Sequence, residues 1–200
     1  MSTHQDRIET ALLADDWDRV GYEASEWARA LETAGETDPR PYFALNVTHL
    51  IRGEFADAWR VYARALQETD DIERVREWVH SIADRHAGNA QTHLVQGLFL
   101  AQSGQSEQSM ASYKEAAKLA PQSPYPHYFL AQIHERAAHL EMAIKEYREA
   151  VKLAPTFAPA RTNLGVAYQE QGRLEMAIPQ YREVIKLNPH DALAHANLGC

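Results

Sequence analysis

Residues 90–191 repeat with a period of 34 and without a gap, so that 90–123, 124–157 and 158–191 align on one another. Each segment closes on leucine, any residue, then proline: Leu119/Pro121, Leu153/Pro155 and Leu187/Pro189. Each also carries a small residue, a tyrosine four positions on, and a small or branched residue three further: Ser109/Tyr113/Ala116, Ala143/Tyr147/Ala150 and Ala177/Tyr181/Val184. Spacings of four and three put these residues on one helix face. Small beside large is how two helices approach closely and interlock. A fixed period of this length predicts an array in which no repeat buries its own apolar face and each neighbour completes it.

The first half of each segment is helical too. Leu164-Gly165 with Tyr168 forms one stripe, and Leu130-Ala131 and Gly97 with Leu100 occupy the same positions. Gly104 and Gly172 are expected to stop the first helix, since glycine takes the left-handed conformation past a helix end. Ala138 replaces that glycine in the middle segment, at a local cost. Pro121, Pro155 and Pro189 end the second helix for want of a donor. Pro124, Pro126 and Pro159 fall in first turns, where proline is tolerated. Pro179 lies one turn inside a second helix and is expected to kink it.

These residues resemble the tetratricopeptide repeat (TPR) family, whose unit is a 34-residue helix–turn–helix. Each of the three segments fills six of the eight signature slots, counting slots from residues 90, 124 and 158. The departures are His93, His127 and Arg161 at slot four, together with Gln96, His134 and Val184. The resemblance implies an all-α, right-handed superhelical solenoid of helix–turn–helix repeats. Residues 192–200 begin a further repeat, with Leu198-Gly199 in the slots of Leu164-Gly165. Arrays of this kind usually finish on a polar-faced capping helix, so the chain is expected to be an excerpt of a longer protein.

Before residue 90 the pattern is divergent. Residues 39–72 keep Tyr42, Leu45, Ala58, Tyr62 and Ala65, with Gly53 at the turn, but carry Asp70 where the terminal proline belongs. Residues 3–34 keep only the hairpin outline: Ile8, Ala11 and Leu12 form one stripe, and Trp17, Val20, Ala24, Trp27 and Leu31 another. The turn-rich stretch 35–41 separates the two pairs. Residues 72–87 have room for a single extra helix with Ile72, Val75, Val79 and Ile82 on its apolar face and Trp78 beside them. All four tryptophans precede residue 90 and all five lysines follow it. Residues 1–89 hold 18 acids and 10 bases, whereas 90–200 hold 10 of each. A divergent section, 1–89, is therefore expected to precede the regular array, 90–191.

The resemblance also implies which side chains line the concave groove. They are Gln91, Leu94, Val95, Leu98, Ala101 and Gln102; then Tyr125, Tyr128, Phe129, Gln132, Glu135 and Arg136; then Pro159, Thr162, Asn163, Val166, Gln169 and Glu170; and finally Leu193, Ala196, Asn197 and Cys200. Of these, Leu94, Val95, Leu98, Tyr125, Tyr128, Phe129, Gln132, Asn163, Val166 and Asn197 are the expected peptide-binding residues. The aromatic side chains would supply affinity as interface anchors do. Asn163 and Asn197, one repeat apart, would hold a peptide backbone, because an amide both donates and accepts. Replacing Tyr128 and Phe129 with alanine is expected to abolish capture and leave helicity intact. Some relatives clamp the carboxylate of chaperone tails with basic groove residues. Here those five slots hold Leu94, Leu98, Phe129, Pro159 and Asn163, or one repeat on Tyr128, Gln132, Asn163, Leu193 and Asn197, with no cation in either set. That mode is excluded.

The net charge of −8 argues against a nucleic-acid partner, which needs a basic face. The one cysteine, Cys200, permits no internal disulfide. No two of the ten histidines lie three or four residues apart, so no helix presents a paired ligand face, and no metal or other cofactor is expected. His93, His127 and His195 read as packing residues at repeat boundaries. Asp15-Asp16 and Asp70-Asp71 read as helix starts, where carboxylates favour the dipole. No phosphate loop or nucleophile elbow occurs. No run approaches the roughly 18 apolar residues of a membrane span, and the first residues lack a leader pattern, so a cytoplasmic location is expected. The chain is thus expected to be a non-catalytic scaffold holding a peptide or partner helix. Two alternatives stand beside that reading: a recruiting arm of a larger enzyme such as a protein glycosyltransferase, and a self-assembly module forming homo-oligomers.

Overall fold

The computed structural model describes residues 3–36, 38–52 and 72–199, and every regular element among them is a helix. Gly53, Ala58, Tyr62, Ala65 and the Asp70-Asp71 pair lie outside the described residues, as does Cys200. The chain divides into two compact units, Met1–Gln105 and Ser106–Cys200.

The first unit contains α1 (His4–Leu13), α2 (Trp17–Ala34), α3 (Arg40–Arg52), α4 (Ile72–Arg85) and α5 (Ala90–Gln102). Local chemistry sets the helix starts. The Thr3 hydroxyl accepts from the Asp6 N–H, and the Asp6 carboxylate accepts from the Thr3 N–H, a reciprocal capping box. Asp16 accepts from the Arg19 N–H at the head of α2, and the Asn89 side chain accepts from Gln91 and Thr92 at the head of α5. Ile8, Ala11 and Leu12 are buried as their spacing predicts. On α2 the buried stripe runs through Val20, Ala24 and Ala28, while Trp17, Trp27 and Leu31 stand half-buried at its rim. The small Ala28 meets Tyr42 of α3, and Trp27 instead takes the Arg40 guanidinium over its ring at 5.0 Å.

Helix α4 forms over the stretch expected to hold one helix, with Val75, Trp78, Val79 and Ile82 buried. Its C-terminal end is tied to α1. The Glu9 carboxylate, nearly buried, accepts from Arg85 Nη2 at 3.0 Å and lies 2.8 Å from His86 Nε2. Helix α5 packs into the same unit. Phe99 meets Phe43 edge-on at 5.7 Å, Gln102 donates to Asn46 at 2.6 Å, and Asn89 donates to the Leu13 carbonyl at 3.2 Å. This unit therefore takes in the helix that opens the 34-residue alignment.

The second unit contains α6 (Ser106–Leu119), α7 (Tyr125–Arg136), α8 (Leu140–Leu153), α9 (Ala158–Glu170), α10 (Leu174–Leu187) and α11 (Ala192–Leu198). Helices α7, α9 and α11 are first helices of their repeats, and α6, α8 and α10 are second helices. Tyr113, Tyr147 and Tyr181 are all buried. Gly165 lies directly against the last of these rings: a Cβ there would lie 2.5 Å from Tyr181 Cε1. The turn between paired helices takes a positive φ at Gly104, Ala138 and Gly172, at 76°, 57° and 72°. Alanine thus holds a conformation that costs an L-residue about 1–2 kcal/mol. Pro179 sits inside α10, which continues to Leu187.

Slot four has a second use besides packing. His93 Nε2 lies 2.7 Å from the Ala87 carbonyl, Arg161 Nε donates to the Pro155 carbonyl at 2.6 Å, and His195 Nε2 lies 3.0 Å from the Pro189 carbonyl. A carbonyl only accepts, so both imidazoles carry their proton on Nε2. Each side chain thus stitches across the inter-repeat turn to the residue six before it. His127 departs from the rule and pairs through Nδ1 with Glu146 Oε2 at 2.7 Å.

Candidate functional site

The ten expected groove residues fall in two classes. Leu94, Val95 and Leu98 of the first unit are buried. Val95 joins Ile8, Leu12, Val20, Phe43 and Trp78 around an apolar cavity of about 10 Å³, so its side chain belongs to the interior of that unit. In the second unit Tyr128 and Phe129 are 0% and 3% exposed. Phe129 stacks on Tyr113 at 5.5 Å, and Tyr128 meets Phe129 at 5.1 Å and Phe157 at 5.0 Å. These two rings are the floor of the face and not its surface, because α6, α8 and the turn at Phe157 enclose them. Tyr125, Gln132, Asn163, Val166 and Asn197 are half-buried and remain accessible along α7, α9 and α11. Tyr125 turns its ring edge to Phe157 at 5.6 Å.

The accessible part is organised by tyrosine hydroxyls. Gln132 Nε2 donates to the Tyr128 hydroxyl at 3.0 Å. The Tyr147 hydroxyl donates to Glu135 Oε2 at 2.8 Å and accepts from Asn163 Nδ2 at 3.2 Å. One repeat later the Tyr181 hydroxyl donates to Gln169 Oε1 at 3.0 Å. Slot twelve, slot 24 and slot six of the next repeat form a complete polar relay at Glu135, Tyr147 and Asn163, and its first bond recurs at Gln169 and Tyr181. Asn197 is the slot-six member of the following repeat, and its Nδ2 is buried without a hydrogen-bond partner among the described residues. A buried donor left unpaired costs about 1–3 kcal/mol.

The electrostatics follow from this packing. Burial raises the Glu135 carboxyl above the ordinary carboxylate range; the Tyr147 hydroxyl opposes that rise, and the neighbouring Glu170 adds to it. Burial raises the Tyr147 and Tyr181 phenols, helped by Glu135 in the first case and Glu170 in the second. Away from this row, the hydrogen bond from His127 holds the Glu146 carboxyl below its usual range. Among the described residues no group of His, Cys, Asp and Glu side chains is arranged to hold a metal ion. No helix among them is long and apolar enough to cross a membrane.

The sequence placed Glu135 and Glu170 in groove slots without a binding role, and read Tyr147 and Tyr181 as packing residues only. The overlooked signal was a carboxylate at slot twelve or thirteen, where the first regular repeat has Ala101 and Gln102.

Helical hairpins repeated every 34 residues, with small residues facing a buried tyrosine, define a repeat-array protein. Family profiles for the tetratricopeptide repeat match residues 90–123 and 158–191, and a TPR repeat profile matches 139–172. The matched residues, 90–123 and 139–191, are tetratricopeptide repeats. No curated protein matches it. Among solved structures, a crystal structure of MamA superposes with a TM-score of 0.57 at 15% identity, over 96% of this chain and 98% of that one.

 YrrB, a TPR protein described as having an unusual peptide-binding site, superposes with a TM-score of 0.51 at 16% identity, over 98% of this chain and 91% of that one. The first TPR of Spaghetti (RPAP3), bound to the HSP90 peptide SRMEEVD, superposes at 0.53 with 22% identity, over 55% of this chain and 87% of that one. At these identities the likeness is one of fold.

Proposed function

We propose that the chain is a non-catalytic interaction scaffold, and that the accessible row on α7, α9 and α11 is the groove that holds an extended peptide or partner helix. The observation that supports this reading is a row of half-buried side-chain amides, Gln132, Asn163 and Asn197, on three successive first helices. Tyr125 and Val166 give it apolar contact. Tyr128 and Phe129 support it from beneath. The peptide SRMEEVD in the Spaghetti complex is acidic, whereas the slots a carboxylate clamp would use carry no cation here, so the ligand is of another kind.

The test is selection of a random dodecapeptide display library on the whole chain, followed by affinity measurement on synthetic copies of the enriched peptides. Replacing Asn163 and Asn197 with alanine together is expected to weaken them about ten-fold or more, with an unchanged helical spectrum. Enriched peptides that ignore both substitutions sink the reading.

Self-assembly is a second reading with an observation of its own. Met142, Leu174, Met176, Leu187 and Leu193 are exposed on the second unit, and apolar surface of this kind marks contact sites when it is contiguous. Light scattering at several concentrations separates the two: a mass that climbs with concentration supports assembly, and a constant monomer mass removes it. The reading as a recruiting arm of a larger enzyme rests on Asn163 and Asn197 alone, since Val95 and Phe129 interrupt the asparagine series at the same slot.

A further inference from the structure

We infer that this face grips an extended peptide by the peptide's own backbone N–H groups, because buried tyrosine hydroxyls turn its side-chain amides nitrogen-inward and leave their carbonyl oxygens toward the ligand. The inference rests on the peptide-binding reading above and adds which ligand groups are bound, and in which conformation. The orientation of Asn163 follows from one proton. The Tyr147 hydroxyl has a single hydrogen, and the Glu135 carboxylate, an acceptor only, takes it at 2.8 Å. The atom that Asn163 places 3.2 Å from that hydroxyl is therefore its amide nitrogen and not its oxygen. Gln132 is turned the same way, its Nε2 donating to the Tyr128 hydroxyl at 3.0 Å. At Asn197 the nitrogen is again the buried atom.

The oxygens are left over. Gln132 Oε1, Asn163 Oδ1 and Asn197 Oδ1 accept from no described residue, and none of them is a buried atom, although their residues are half-buried. Neutral acceptors thus stand open on α7, α9 and α11, while the amide nitrogens face the interior. Such a row selects the conformation of what it binds. Beyond its first turn an α-helix spends its N–H groups on its own carbonyls, so a partner helix laid along the row would offer it side chains alone. An extended chain turns every second N–H to one side, about 6.6 Å apart, and each needs an acceptor. The row recurs on successive first helices, and the backbone is the part of a peptide that repeats whatever its sequence. Tyr128 and Tyr147 are positioning residues here: their hydroxyls hold the amides and do not touch the peptide.

The test takes the peptides selected above on the whole chain and replaces their amide bonds one at a time with esters, which delete an N–H and keep the shape of the chain. Affinities are measured against the parent, Asn163→Ala, Tyr147→Phe, the combination of those two, and Tyr181→Phe. The last is the control, since the Tyr181 hydroxyl bonds Gln169 and no amide of the row. The expected result is an ester that costs about five-fold against the parent, the worth of one hydrogen bond, and nothing against Asn163→Ala. Tyr147→Phe is expected to weaken binding about three-fold or more, with no further loss when added to Asn163→Ala, while Tyr181→Phe changes it by less than about two-fold. Peptides that tolerate every ester, or an ester that costs as much against Asn163→Ala as against the parent, overturn the inference, because the donors are then side chains or lie elsewhere. Equal losses in Tyr147→Phe and Tyr181→Phe overturn the positioning role. Peptides weakened by Asn163→Ala with Asn197→Ala but indifferent to every ester leave the groove standing and remove its grip on the backbone. Peptides indifferent to those alanine changes overturn both.

Discussion

The Asn163 side chain donates to the Tyr147 hydroxyl at 3.2 Å, and that same hydroxyl donates to Glu135 at 2.8 Å, so a tyrosine whose ring is buried in one repeat links the exposed faces of two. The carboxylate at the end of this relay lacks the compensation its burial calls for. Because its folded-state affinity for a proton is raised, it lowers stability as pH climbs through and above the ordinary carboxylate range, and costs nothing when both states are protonated. Glu135→Gln is therefore expected to raise the melting temperature at pH 7 and leave it unchanged near pH 3. A fall at pH 7 would mean that the carboxylate stabilises the fold.

Tyr128 gives the opposite case. Its ring is fully buried, so Tyr128→Ala is expected to cost about 3–5 kcal/mol and loosen the second unit. Loss of peptide capture in that variant, or in the double change with Phe129, would report unfolding and not the site. Gln132→Ala, which removes only a half-exposed amide, is expected to stay within about 1 kcal/mol of the parent in urea denaturation.

At Ala138, whose φ is +57°, glycine is expected to stabilise the chain by about 0.5–1 kcal/mol, after the entropy that glycine gains in the unfolded state is set against the relieved strain. Gly104 and Gly172 hold the same turn in the adjacent repeats. A lower denaturation midpoint for Ala138→Gly would show that the turn is not strained.

Gly165 tests packing. Alanine favours a helix over glycine by about 1 kcal/mol, but its methyl would enter the space of the Tyr181 ring. Overpacking of this kind costs about 1–3 kcal/mol, so net destabilisation is expected. An unchanged midpoint would show that the ring moves aside freely.

These contrasts locate what the sequence made legible. Period, proline punctuation and the tyrosine slots prescribe the hairpins of 90–191, because they follow from local backbone chemistry and one-dimensional spacing. The family resemblance placed Tyr128 and Phe129 on the groove face but not their depth, since burial depends on what packs over a ring, here Tyr113 and Phe157. Val95 likewise fits a groove slot by register and lies in the interior, lining one cavity with residues more than 70 positions away, Ile8 and Leu12 among them. The relay through Tyr147 joins residues 12 and 16 positions apart on different helices, beyond the reach of any single-helix pattern.

The slot-four stitch has a consequence for how such an array changes over time. Arg161 reaches the Pro155 carbonyl and His195 reaches Pro189 across six residues. Arginine and histidine both serve, so the turn accepts different side chains provided that they donate. One inserted or deleted residue would carry the donor about 100° around its helix and away from the carbonyl. Such a joint is permissive in spelling and strict in metre, and whole 34-residue cassettes can be gained or lost there while single residues cannot.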